Sequence, residues 1–146
     1  MGFWTQATGT INGEFAMVVT EDKASKYISD VIGKELVWDE TRDSDEQIAE
    51  WEYAFEHPEL YLPLGSEGSL RYKCTYDSHT GAYQIDIFGS LRDEIYTRRV
   101  IKWFIDLCCE FNPKKAKIRV SSDGWELSKY EHESKSGKTL IKEVKK

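Results

Sequence analysis

Residues 69–89 read SLRYKCTYDSHTGAYQIDIFG, and this stretch decides the fold class. Leu70, Tyr72, Cys74 and Tyr76 alternate with Arg71, Lys73 and Thr75, the period of two that a half-buried strand needs. Beyond Asp77–Gly81, Tyr83, Ile85 and Ile87 alternate with Gln84, Asp86 and Phe88. Two alternating runs around a short polar segment containing glycine predict an antiparallel hairpin with one face on the core.

Downstream the period changes. In SLRDEIYTRRVIKWFIDLCCEFNP (90–113), Ile101, Phe104, Cys108 and Phe111 fall on one helical face. Ser90 with Asp93 resembles a capping box, and Asn112-Pro113 ends the helix, because the residue before proline is steered away from helical geometry. AKIRVSS (116–122) and WELSKYE (125–131) flank Asp123-Gly124 as a second hairpin.

Upstream, residues 2–20 are rich in Thr, Val and aromatics and read as one or two strands with a turn near Asn12-Gly13. EDKASKYISDVIGK (21–34) places Ala24, Tyr27, Ile28, Val31 and Ile32 on one helical stripe, with Gly33 ending it. ELVWD (35–39) reads as a short strand. In SDEQIAEWEYAFEHPE (44–59), Ser44 and Gln47 suggest a capping box, Ile48, Trp51 and Phe55 an inward side, and Glu46, Glu50, Glu52 and Glu56 an outward one. Pro58 ends that helix, and LYLPLGSEGS (60–69) is loop.

This order predicts an α+β protein: a mainly antiparallel sheet with helices packed on one face. It approaches a ferredoxin-like βαββαβ unit with an extra acidic helix and a C-terminal hairpin. A single domain is expected over 1–131, followed by a charged, flexible tail over 132–146.

With 146 residues the chain suits one ordinary core. No apolar run approaches the roughly 20 residues needed to cross a bilayer, and the N-terminus lacks the form of a secretory signal. The expected location is cytoplasmic. The three cysteines, Cys74, Cys108 and Cys109, fit that compartment as buried apolar groups, since their spacing suits neither a disulfide framework nor a metal site.

Net charge is −6, unevenly spread. Residues 35–59 hold ten acids and one base, Arg42, whereas residues 113–146 hold ten bases and five acids. A uniform basic patch is absent, which disfavours ordinary nucleic-acid binding. An acidic face can steer towards a basic partner.

Motifs for chemistry are weak. Gly137-Lys138-Thr139 ends like a phosphate-binding loop, but His132 stands where the first glycine belongs. His57, His79 and His132 are too scattered for a local metal set. Ser78 lies beside His79 without a Gly-x-Ser-x-Gly frame, and neighbouring carboxylates on one exposed helix do not form the pair across a cleft that glycoside chemistry needs. Base stacking by Tyr72, Tyr76, Tyr83 and Phe88 is a further reading, but the tyrosines alternate as core residues do. No catalytic residue, metal or cofactor is expected, and the chain is read as a non-enzyme.

MGFWTQATGTI (1–11), LPLGSEGSLRY (62–72) and the block from GSLRDEIYTRRVIKWFIDLCCEF (89–111) to AKIRVSSDGWE (116–126) resemble small uncharacterised proteins of phages and prophages of Gram-positive bacteria. The resemblance touches about half the chain, and its motifs are structural, so no catalytic residue is carried across. It implies an accessory protein that occupies a host protein's surface, as inhibitors of CRISPR effectors do.

The expected function is therefore inhibition of a host defence or nucleic-acid-handling protein by binding its basic surface. Asp43, Asp45, Glu46, Glu50, Glu52 and Glu56 would steer, and Trp51, Tyr53 and Tyr61 would anchor. An immunity protein masking a toxin, a small hydrolase and an RNA-binding module are the alternatives. No membrane partner is expected, nucleic acid is not expected as a direct ligand, and a homo-oligomer is compatible with the sequence.

Overall fold

A computed structural model describes residues 4–92, 97–122 and 124–142. Within these residues, five strands form one sheet: β1 (Trp4–Glu14), β2 (Arg71–Tyr76), β3 (Ala82–Arg92), β4 (Lys115–Ser122) and β5 (Trp125–Glu133). Their spatial order is β2-β3-β1-β4-β5, and every neighbouring pair is antiparallel. Among the described residues, three α-helices accompany it: α1 (Glu21–Ile32), α2 (Ser44–Glu56) and α3 (Thr97–Phe111). The expected α+β class holds, and both predicted hairpins form.

β1 lies at the centre and runs straight through Asn12-Gly13, where a turn was expected. The glycine answers a packing need. A Cβ on Gly13 would lie 2.4 Å from the Tyr83 hydroxyl oxygen, so only glycine lets that ring cross the strand.

One face of the sheet is covered. Ile11, Ile85, Ile87, Leu91, Ile118 and Val120 meet Ile28 and Ile32 of α1 and Val100, Phe104 and Phe111 of α3 in a single core. α1 begins at Thr20, whose hydroxyl accepts from the Lys23 N–H, and ends at Gly33 with φ 106°. Cys108 is buried as expected and Cys74 partly so, but Cys109 is exposed. Burial pushes the Cys108 thiol up to about 12, with Cys109 beside it, and the Cys74 thiol to about 11, with Asp86 nearby.

Three further expectations change. Residues 35–39 form no strand, and the Gln47 side chain occupies the backbone groups of Asp39. Gln47 Oε1 accepts from the Asp39 N–H and its Nε2 donates to the Asp39 carbonyl, each at 2.7 Å. The N-cap of α2 is Asp43, whose Oδ1 accepts from the N–H groups of Asp45 and Glu46, while Gln47 turns inward and is buried. Ser90 belongs to β3, paired with Gln6, because β1 offers partners as far as Arg92. Asp93, the other half of that expected cap, lies outside the described residues.

The boundary expected at residue 132 also moves. β5 continues to Glu133, and the following segment crosses the end of the sheet. Thr139 is buried; its Oγ1 donates to the Phe111 carbonyl and contacts the Tyr83 hydroxyl, each at 2.6 Å. Lys138 pairs with Glu14 at 2.6 Å, and a Cβ on Gly137 would strike the Asn112 and Pro113 carbonyls. The three letters that resemble a phosphate loop are thus packing residues. Thr139→Val should cost about 1–3 kcal/mol of stability, since it strands two buried polar atoms, whereas Thr139→Ser should cost less. Urea denaturation reads the difference.

Glu14 gives a pH signature. Hydrogen bonds from Lys114 and Lys138 hold its carboxyl down at about 2, from an ordinary 4.5. A depressed carboxylate stabilises above its ordinary value and loses that contribution as pH falls through the folded one. Wild-type stability should therefore drop more than that of Glu14→Gln between about pH 4.5 and about pH 2. Parallel acid titrations of the unfolding midpoint check this.

Candidate interaction surface

α2 stands apart from the sheet. It docks through Trp51 and Ala54 onto Leu36 and Leu64, with Tyr61 against them, in a second small apolar cluster. The indole N–H of Trp51 donates to the Gly65 carbonyl at 3.0 Å, which satisfies the polar end of a buried ring. Gln47, Trp51 and Ala54 are the buried side, at spacings of four and three, as a helix requires.

The remaining surface of α2 divides into two flanks. On one, Arg42 reaches Glu50 at 2.6 Å and Glu46 at 3.2 Å. The Arg42 guanidinium holds the Glu50 carboxyl below its ordinary value. Tyr53 shares this flank. Its ring stacks on His57 at 4.1 Å and meets Tyr61 edge-on at 6.4 Å. Asp43 is committed as the cap.

On the other flank, Ile48, Glu52 and Phe55 follow one another at helical spacing. Ile48 is 48% exposed and Phe55 44%, although the sequence pattern places both inside. They face Trp38, which is 44% exposed, and Trp4 at the start of β1, which is 41% exposed. Together with Trp51, Glu52 and residues 66–68 they line an open groove of about 660 Å³. Trp38 meets Trp51 edge-on at 6.4 Å. At the rim, Glu67 pairs with Arg92 at 2.8 Å. Asp45, Glu52 and Glu56 make no ion pair among the described residues.

The residues expected from sequence therefore separate. Glu46, Glu50, Tyr53 and Tyr61 gather on the Arg42 side, Glu52 and Trp51 border the groove, and Asp45 and Glu56 lie exposed between them. The groove's other aromatic walls were missed. Two stripes cross at Trp51: Ile48-Trp51-Phe55 and Gln47-Trp51-Ala54. The first is more apolar by composition, and the second is the one buried.

Elsewhere, a shallow depression of about 600 Å³ is lined by Ser29, Asp30, Gly33, Lys34, Glu35, Leu60 and Tyr72. Glu35 Oε1 accepts there from the Tyr72 N–H at 3.0 Å. His57, His79 and His132 sit on α2's end, in the first hairpin turn and on β5 respectively. Among the described residues, no three His, Cys, Asp or Glu side chains gather in a way that would hold a metal ion. Among the described residues, no helix is long and apolar enough to cross a membrane.

No protein-family model matches the chain, and neither does any curated protein or solved structure.

Proposed function

We propose that this chain is a non-enzymatic binding protein that occupies a basic surface of another protein, in the manner of a phage-encoded inhibitor of a host defence or nucleic-acid-handling protein. One observation carries the reading: large apolar side chains stand exposed around one groove beside a helix with unpaired carboxylates. Clustered exposed aromatics suit the desolvated centre of an interface, and Asp45, Glu52 and Glu56 suit its charged rim. The anchors in this reading are Trp38, Ile48 and Phe55, with Trp4 beside them. The strand order β2-β3-β1-β4, with α1 following β1 and α3 following β3, supports a ferredoxin-like unit to which α2 and β5 are additions.

The test is capture of a partner from a Gram-positive host lysate, followed by titration of that partner against variants. Phe55→Ala should weaken binding roughly 30-fold, the effect of losing one central anchor. Reversing Asp45, Glu52 and Glu56 together to Lys should slow association and flatten its salt dependence. Unchanged affinity in both folded variants would contradict the reading.

A second reading rests on the uncovered face of the sheet. Arg71, Phe88, Thr8, Arg119 and Lys129 form one row across all five strands, and Phe88 is 43% exposed. An aromatic between cations is suited to stacking a base of single-stranded RNA. Carboxylates at Asp86, Glu126, Glu131 and Glu133 share that face and oppose it. Anisotropy of a labelled oligonucleotide that rises with wild type and not with Phe88→Ala would favour this second reading.

A further inference from the structure

We infer that β5 is a self-pairing edge, which joins two copies of the chain through antiparallel β5–β5 contact into one continuous sheet. The inference is independent of the groove. β5 is a nine-residue edge strand without proline, and among the described residues it pairs with β4 alone. At the opposite edge, by contrast, the Tyr72 N–H of β2 already donates to Glu35. No such cover lies along β5 among the described residues, and an open edge of this length is a template for another strand.

The charge pattern selects the occupant and the register. In antiparallel pairing, facing residues point to the same side of the sheet, so a two-fold contact sets residues an even number apart against each other. Centring the axis on Lys129 or on Glu131 would oppose like charges. Centring it on Tyr130 sets Lys129 against Glu131 of the second copy, twice over, and Ser128 against His132.

Both charges are free to pair this way. Neither Lys129 nor Glu131 makes an ion pair among the described residues, and Lys129 lies directly opposite Arg119 on β4, a like-charge pairing that costs stability. In the dimer, each open-face row would run Lys117, Glu131, then Lys129 and Arg119 of the second copy. On the covered face, Tyr130 packs edge-on against Phe104 at 6.2 Å. The two tyrosines would extend that apolar layer across the axis. The buried Nε2 of His132, which lacks a hydrogen-bond partner, lies on this same face.

Sedimentation across a concentration series tests the inference with the full chain. Wild type should pass reversibly from monomer to dimer. Lys129→Glu and Glu131→Lys should each weaken the dimer about tenfold, since each converts two attractive contacts into repulsive ones. The double exchange, Lys129→Glu with Glu131→Lys, should restore association. Thermal melts confirm that each variant folds. A chain that stays monomeric at every concentration, or a dimer indifferent to both single reversals, overturns the inference. Capture of a strand from a different protein by a monomeric chain would overturn it too.

Discussion

Replacing Trp51 by alanine should lower the free energy of unfolding by about 3 kcal/mol, near the lower end for removal of a large buried aromatic. Trp51 is the largest side chain in the cluster formed with Leu36, Ala54 and Leu64, and it carries the hydrogen bond to the Gly65 carbonyl. Among the described residues, the other buried side chains of α2, Gln47 and Ala54, are much smaller. The loss should therefore appear first as local opening, with amide exchange across residues 44–56 accelerating before that of the sheet. Trp51→Phe should cost roughly 1 kcal/mol, because the ring remains while the N–H is lost. Denaturation curves of the three proteins, read together with exchange of α2 amides, check both figures. An alanine variant as stable as wild type would show that α2 is held by something else.

Gly65→Ala should be the second most damaging change, at about 3 kcal/mol. A Cβ there would lie 2.3 Å from the Arg92 carbonyl oxygen and 2.7 Å from its nitrogen. Both are backbone atoms of β3, at its last pairing with Trp4, so they cannot rotate aside as a side chain would. The loop must shift instead, and it carries the carbonyl that receives the Trp51 indole. Gly65 thus couples the seating of α2 to the end of the central sheet. The variant should lose stability and partner binding together, whereas Phe55→Ala should lose binding alone. Paired measurements of unfolding midpoint and affinity separate the two cases.

The reason for these local constraints bears on what was legible in the sequence. The hairpin at 69–89 and the stripe Phe104-Cys108-Phe111 were readable because each depends on a period within one segment. Gly13 was misread because its requirement comes from Tyr83, a residue distant in sequence that crosses it in space. Residues 35–39 were misread as a strand, and there the Gln47 side chain takes the backbone groups of Asp39. The acidic helix was found, but its orientation was not. A buried glutamine with two hydrogen bonds to backbone behaves as an inward residue, and hydropathy alone assigns it outward. That single inversion turned Ile48 and Phe55 from expected core into exposed groove walls and hid the roles of Trp4 and Trp38.

Photo-crosslinking from defined positions distinguishes a groove that seats a partner from one that does not. A photoreactive phenylalanine analogue is placed at Phe55 in the groove, at Lys102 on the exposed face of α3, and at Phe88 on the open sheet. The full chain is then irradiated in host lysate at low and high salt. A discrete protein adduct should form from position 55 and fade as salt rises, with none from 102 or 88. Adducts confined to position 88, or none at 55 under any condition, would contradict a partner seated in the groove.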